Sequence, residues 1–508
     1  MKKVLRFLFS RMVIVSVLIT IQLVFLLVVI FGLSQYASYL YTTMELLSIL
    51  LVVAVVMSND NPSYKLAWTI VILILPLLGG LFYLIRGSNR IPKKHIRTLE
   101  NHLKKHEDLF TLTTDIQEEL SSYYPKDASI SRFITTAGGY PIWSETAVEY
   151  FPLGEKMYKR LLEELKKAKS YILMEYFIVE RGVMWDTILE VLEQKVAEGV
   201  EVYLMYDDLG CIQTLPPKYD EELRQKGIHV AVFNPYRPQL NLLVNHRDHR
   251  KITVIDGKVG FCGGINLADE YINVKERFGH WKDTAVLLRG KAVWNLLIMY
   301  LSLWNFTSAD KLDLEKYLST LPSAQPDGYV QPFGDSPRYP VKVSENTYLN
   351  IINKATRYVY ITTPYLIIDH NMKTSLVRAA KSGVDVRIIT PHIPDKWYVH
   401  MTTQSYYEEL VRAGVKIYEY TPGFMHAKMV LTDDDLAIVG TVNMDYRSMY
   451  LHFECGVLLY KNSIIAQIKV DIEDAMNVST LVTVEEAGRI PFLKWMVRAF
   501  LRLFAPLM

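Results

Sequence analysis

The strongest constraint on this chain is a pattern that it contains twice. His249-Arg-Lys251-Ile-Thr-Val-Ile-Asp256, followed by Gly263-Gly264-Ile-Asn266, returns as His426-Ala-Lys428-Met-Val-Leu-Thr-Asp433, followed by Gly440-Thr-Val-Asn443. In both copies the Lys stands two positions after the His, the Asp seven and the Asn seventeen. Side chains two apart share a face of a strand, so each His and its Lys point the same way. A strand that enters a Gly-rich turn can then present imidazole, ammonium and amide to one anion. A single His and Lys on a solvated strand edge are ordinary; two copies with the same internal spacing are not.

The surrounding sequence repeats as well. Tyr171-Ile-Leu-Met-Glu-Tyr-Phe-Ile is echoed from Val359, Glu198-Gly-Val-Glu-Val202 by Ser382-Gly-Val-Asp-Val386, and Gln225-Lys-Gly-Ile-His229 by Arg412-Ala-Gly-Val-Lys416. The C-terminal two-thirds therefore reads as a tandem duplication with one motif per half, residues 131–330 and 331–482, joined through the Pro-, Gly- and Ser-rich stretch 321–340. Leu153–Lys169 and Trp185–Glu198 have helical patterning, and Tyr171–Val179 and Val200–Tyr206 read as buried strands. This alternation predicts an α/β fold with a largely parallel sheet.

Half of the 508 residues are hydrophobic, with the excess at the N-terminus. Met12–Leu33 and Leu66–Ile85 are each long enough to cross a bilayer, and Met44–Met57 is either a third crossing or an interfacial segment. The first run is expected to be a retained anchor rather than a cleaved signal, because no small-x-small site follows it. Lys2, Lys3, Arg6 and Arg11 precede the first run, and Arg86, Arg90, Lys93, Lys94 and Arg97 follow the last. Both ends are thus expected to be cytoplasmic, with two crossings between them. Residues 1–88 form this membrane anchor and 89–130 a polar connector near the membrane surface. Residues 483–508 form a basic amphipathic C-terminal helix. Its Lys494, Arg498 and Arg502 stripe suits either an anionic lipid surface or docking on the protein core.

A net charge of +2 does not suggest a nucleic-acid binder. Cys211, Cys262 and Cys455 lie far apart without a CxxC pair and read as small buried hydrophobes.

Two imidazoles from two halves can face each other across one phosphate, one attacking phosphorus while the other protonates the leaving oxygen. Lys251 and Lys428 would neutralise the non-bridging oxygens, and the amides of Asn266 and Asn443 would bind them. A nucleophilic imidazole needs a carboxylate behind its far nitrogen, and Asp283 and Glu454, at equivalent places before a strand in each half, are candidates. Asp256 and Asp433 complete the catalytic motifs, although their position suits bracing a turn better than touching substrate. No metal is needed. His246, Asp248 and His249 lie close in sequence, but Lys251 would crowd a cation there.

Two H-x-K-x4-D motifs, each with its Gly-rich turn, in a duplicated α/β chain resemble the phospholipase D superfamily. Asn245 to Gly257, Asp445-Tyr-Arg-Ser448 and Pro76-Leu-Leu-Gly-Gly-Leu-Phe-Tyr83 narrow the resemblance to bacterial cardiolipin synthases. The Met12–Leu33 run is additional to the pair of spans usual in that family. The resemblance implies two tandem phospholipase D-like domains with pseudo-twofold symmetry behind N-terminal transmembrane helices. It implies a multi-pass enzyme of the bacterial plasma membrane that condenses two phosphatidylglycerol molecules into cardiolipin and glycerol through a phosphohistidine, without metal, nucleotide or nucleic acid. His249 is taken as the nucleophile and His426 as the general acid and base, on motifs too alike to separate them firmly. The alternatives are a phospholipase D-type hydrolase, a phosphatidyltransferase using another alcohol, a nuclease, and a lipid-binding scaffold, which a substituted motif would have marked.

Overall fold

The computed structural model describes residues 36–58, 61–75, 79–80, 82–84, 113–235, 245–317, 323–337 and 339–507, together with Thr20 and Val24. The expected Met12–Leu33 span thus lies outside the described residues but for two positions. The chain divides into an N-terminal unit and a much larger unit that carries both motifs.

In the N-terminal unit, helix Tyr36–Val56 packs against helix Pro62–Ile74. Asn61 caps the second helix by accepting from Ser63 N, with Pro62 at its first position. The segment left open as a third crossing is therefore most of the first arm of this hairpin. Its uncharged stretch begins only after Glu45. Among the described residues no helix is long and apolar enough to cross a membrane.

The large unit contains two sheets of matching topology. The first runs, in spatial order, Thr146–Phe151, Ala285–Gly290, Val259–Gly263, Ile252–Ile255, Tyr171–Tyr176, Glu201–Asp207 and His229–Phe233. The second runs Tyr329–Asp335, His452–Tyr460, Leu436–Gly440, Met429–Thr432, Tyr358–Thr362, Asp385–Pro391 and Lys416–Tyr420, with Ser479–Leu481 added at its edge. Only three main strands of each sheet run parallel, and the hairpin carrying the motif joins them antiparallel. The expectation of a largely parallel sheet is corrected to a mixed one. The motif hairpins have short turns, which antiparallel pairing allows, whereas parallel pairs need long crossovers.

The central strand Tyr171–Tyr176 is buried at every position, as a strand covered on both faces must be. The repeated Gly199 and Gly383 take φ of 87° and 91°, in the left-handed region where a helix ends and the next strand begins. Helix Val293–Thr307 is buried almost all round between the first sheet and Tyr329–Asp335 of the second. At the seam between the halves, Cys262 and Cys455 bring their sulfurs to 3.6 Å, and all three cysteines are buried.

Two boundaries move. Tyr329 and Val330, at the end of the expected first half, are already in the second sheet, paired with Tyr460 and Leu459. Helix Pro125–Gly138, which crosses the end of the expected connector, packs on helix Val343–Lys354 and strand Tyr329–Asp335 of the second half, and helix Thr114–Tyr123 packs on it in turn. Gln331 Nε2 donates to Ser131 O at 3.2 Å and Tyr329 Oη to Glu119 Oε1 at 2.8 Å. They form a layer of the second domain, and residues 89–112 of the expected connector lie outside the described residues.

Candidate active site

Each motif begins on a short strand that leaves its own half. Arg247–Asp248 pairs in parallel with His452 and Phe453 of the second half, and His249 N donates to Phe453 O at 2.9 Å. In the reciprocal arrangement Gly423–Met425 pairs in parallel with His280–Lys282 of the first half, and His426 N donates to Lys282 O at 2.7 Å. Glu454 and Asp283 directly follow these paired residues. The carboxylate behind each imidazole therefore comes from the opposite half. His249 Nδ1 lies 3.0 Å from both oxygens of Glu454, and His426 Nδ1 lies 2.5 Å from Asp283 Oδ2. An Nδ1–H donating to the carboxylate leaves Nε2 of each ring as its reactive atom.

His249–Lys251 and His426–Lys428 are the links between two strands, not parts of one as the spacing suggested, and each ammonium donates to the carbonyl of its His. All four side chains are almost wholly buried. The electrostatic consequence is large. Burial depresses the pKa of both imidazoles well below the ordinary histidine value, and Lys251 and Lys428 push each further in the same direction. Burial also brings Lys251 down to about 8 and Lys428 to about 7, and raises Asp283 to about 6. Two ammonium groups buried near each other favour an anion beside them, and a negative charge placed there would raise both imidazoles again.

The walls are aromatic. Phe177 lies edge-on to His249 at 5.2 Å, and Tyr271, Trp281 and Phe424 surround His426 at 5.4, 5.1 and 5.7 Å. Such walls limit the access of water to the two imidazoles.

The halves are not equal. The residue two before Glu454 is His452, whose ring is 5.7 Å from that of His249, whereas the position two before Asp283 is Trp281. The turn after the motif is Gly264 in one half and Thr441 in the other. A Cβ at Gly264 would meet Asp283 Oδ1 at 2.1 Å, while Thr441 Oγ1 donates to the longer Glu454. Sequence reading passed over His452, whose only signal was its place beside Glu454.

The remaining predicted residues are placed as follows. Asn266 is tied into the fold, accepting from Ile178 N at 3.0 Å and donating to Tyr271 Oη at 2.7 Å. Asn443 is buried, with its Oδ1 unpartnered. Asp256 and Asp433 are not brought to the imidazoles and do not join them as catalytic groups. Each lies five residues beyond its Lys, about 17 Å along an extended strand, with φ of 51° and 54°. Asp256 accepts from the N–H groups of Lys169, Ser170 and Tyr171, and Asp433 from those of Thr356, Arg357 and Tyr358. Their function in the motif is to brace the turn.

His246, Asp248 and His249 do not converge on a cation. His246 Nδ1 faces Leu451 O at 3.2 Å and Asp248 faces Arg250 at 3.6 Å. Among the described residues, the group whose atoms lie close enough to hold an ion is His249, His452 and Glu454, within 4.8 Å of one another. The charges of Lys251 and Lys428 beside it oppose a cation there.

The family model described as "Cardiolipin synthase, PLD-like domain" matches residues 161–279 and 348–476, and that described as "Phospholipase_D-nuclease N-terminal" matches 46–87. The cardiolipin synthase of Alkalihalophilus pseudofirmus is 35% identical over 457 residues, covering 89% of this chain and 90% of its own. That of Geobacillus kaustophilus is 34% identical over 476 residues, covering 92% and 94%. An uncharacterized protein of Streptococcus mutans is 42% identical over 447 residues, 87% of this chain and 96% of that one. In fold, the chain is similar to the crystal structure of a phosphatidylserine synthase from Haemophilus influenzae, with a TM-score of 0.57 and 14% identity over 74% of this chain and 97% of that one.

Proposed function

This chain belongs to the cardiolipin synthases built on phospholipase D-like domains, and from that premise we propose that it transfers a phosphatidyl group between two phosphatidylglycerol molecules, giving cardiolipin and glycerol. Membership makes it a phosphatidyltransferase. The observation that carries the mechanism is the crossed pairing of His249 with Glu454 and of His426 with Asp283.

In the first step Nε2 of His249 attacks phosphorus, and the bond from phosphorus to the glycerol headgroup oxygen breaks. His426, protonated once the phosphate monoanion lies beside it, gives its Nε2 proton to that oxygen, and glycerol leaves. In the second step neutral His426 takes the proton from the glycerol hydroxyl of another phosphatidylglycerol. The freed oxygen attacks the phosphatidyl-histidine, the phosphorus–nitrogen bond breaks, and His249 returns to its starting state. Lys251 and Lys428 hold the non-bridging oxygens throughout, with Asn443 as a further amide donor. One phosphodiester replaces another, so the reaction is close to thermoneutral, and exclusion of water decides between transfer and hydrolysis.

We also place the enzyme at the bacterial plasma membrane, anchored through its N-terminal apolar runs, with the catalytic halves on the cytoplasmic side. Confinement of enzyme and both lipids to one surface raises the effective concentration of the acceptor. Labelling of single introduced cysteines by an impermeant reagent in whole cells tests this orientation.

The test of the reaction uses full-length enzyme in vesicles with headgroup-labelled phosphatidylglycerol. Glycerol and cardiolipin should appear together, and His249→Ala or His426→Ala should each lower turnover by about 10³-fold or more. Phosphatidic acid in place of cardiolipin would assign hydrolysis instead.

A further inference from the structure

The C-terminal helix Phe492–Leu503 carries its cations at every fourth position, and the structure turns two of the three, Arg498 and Arg502, toward the protein. Arg498 is 7% exposed, and its Nη2 donates to Gln404 Oε1 at 2.5 Å. Arg502 Nη1 donates to Ser405 O at 3.3 Å, and the guanidinium lies 4.3 Å from the centre of the Tyr406 ring. The stripe thus docks on helix Trp397–Gln404 and the turn after it.

What remains outward is the apolar face. Phe492 and Leu493 are 73% and 74% exposed, and Trp495, Met496, Phe500 and Leu503 are also exposed. Trp397 and Tyr398, at the start of the neighbouring helix, are exposed as well. A contiguous apolar patch of this kind is uncommon on a surface that faces only water.

Three features select a lipid surface as its occupant. The face is rich in Trp, Tyr and Phe, which favour the boundary between headgroups and acyl chains. Its rim is basic, with Lys494 exposed and the Lys396 side chain half exposed, and the helix holds no acidic residue. The face also begins beside residues that act on the reaction site. Lys396 precedes Trp397, the charges of Asp395 and Lys396 reach His426, and Tyr365 Oη donates to Asp395 Oδ2 at 2.6 Å.

We propose that the outward face of helix Phe492–Leu503, together with Trp397 and Tyr398, is a lipid-docking surface that sinks into the headgroup region of an anionic phospholipid bilayer and holds the His426 side of the site against it. The surface is a second membrane contact, separate from the N-terminal anchor. It rests on the lipid-transfer reading only for the identity of the substrate.

The test uses full-length enzyme in vesicles of phosphatidylglycerol and phosphatidylcholine. Phe500→Cys carries an environment-sensitive fluorophore, the native cysteines being buried, and Lys218→Cys on an exposed turn is the control. Doxyl groups on the acyl chains should quench the label at position 500 several-fold more than that at position 218. Equal quenching at the two positions overturns the proposal. So does a signal that follows protein density rather than doxyl lipid, which would assign the face to a second copy of this chain. In the second arm, Phe492→Ser, Trp495→Ser and Phe500→Ser are combined. Turnover of long-chain phosphatidylglycerol in vesicles should fall about tenfold, with turnover of monomeric dihexanoyl phosphatidylglycerol unchanged within twofold. An equal fall on both substrates would reduce the helix to a support of the fold, and no fall on either would leave the face without a role; both overturn the proposal. Should the unsubstituted enzyme release no glycerol from either lipid, the reaction assigned above fails and the quenching arm alone decides the docking.

Discussion

Lys428, brought down to about 7 by burial, and Lys251, brought to about 8, set a pH dependence that exposed lysines would not have. An ammonium is charged below its pKa, so these depressed values move the loss of charge into the neutral range. The kcat/KM for phosphatidylglycerol should therefore fall as pH rises through 7 to 8, and Lys428→Arg should shift the alkaline limb upward by up to about one pH unit, to the limit set by Lys251. An alkaline limb unmoved by that substitution would separate Lys428 from the phosphate. Gly264 is a second such point. Because a Cβ there collides with Asp283 Oδ1, Gly264→Ala should push the carboxylate off His426 and lower kcat by about 10²-fold, whereas Thr441→Ala should be milder. Arg250 is a third. It lies between His249 and Lys251 and is buried in the core, where its Nε donates to Glu175 Oε1 at 2.6 Å. The other half has Ala427 in place of the arginine and Thr362 in place of the glutamate, and Thr362 Oγ1 donates to Ala427 O at 3.0 Å. Arg250→Ala leaves two buried carboxylates without their cation and should cost about 3–5 kcal/mol in chemical denaturation. Changing Arg250→Ala together with Glu175→Thr should recover part of that loss.

At the scale of elements, the motif is a strand with chemistry at one end and a brace at the other. Asp256 and Asp433 each collect three backbone N–H groups from the segment that starts the central strand, so they fix the register of the hairpin that carries the His and Lys. Asp433→Ala should lower unfolding stability by about 1–3 kcal/mol, with kcat of the folded fraction little changed. Asp433→Asn, which tolerates the left-handed backbone, should lose less. A loss of kcat without loss of stability would return Asp433 to the catalytic set. The C-terminal helix illustrates what patterning leaves open at this scale. Its period placed the cations on one side and the apolar residues on the other. Which side faced the protein depended on Gln404, the Ser405 carbonyl and Tyr406, residues about ninety positions away that no local pattern connects to it.

At the scale of the whole molecule, neither half is complete. Glu454 orients the imidazole of the first half and Asp283 that of the second, so Glu454→Gln should change the 15N resonances of His249 and spare those of His426, and Asp283→Asn should do the reverse. Resonances that moved within one half only would contradict the crossed pairing. The duplication and the apolar strands with their turn glycines were legible in the chain alone, because they follow from the period of the strand and the conformational freedom of glycine. Asp283 and Glu454 were also readable as candidates, from their equivalent positions before a strand. Their crossing was not, because it arises where Arg247–Asp248 and Gly423–Met425 leave their own sheets to pair with strands of the other half. The attachment of residues 114–138 to the second sheet, the 3.6 Å approach of Cys262 and Cys455 and the pairing of Arg250 with Glu175 belong to the same class. Local periodicity states which residues share a face of an element. Which face meets which is set by packing between segments far apart in sequence, and only the tertiary structure decides it.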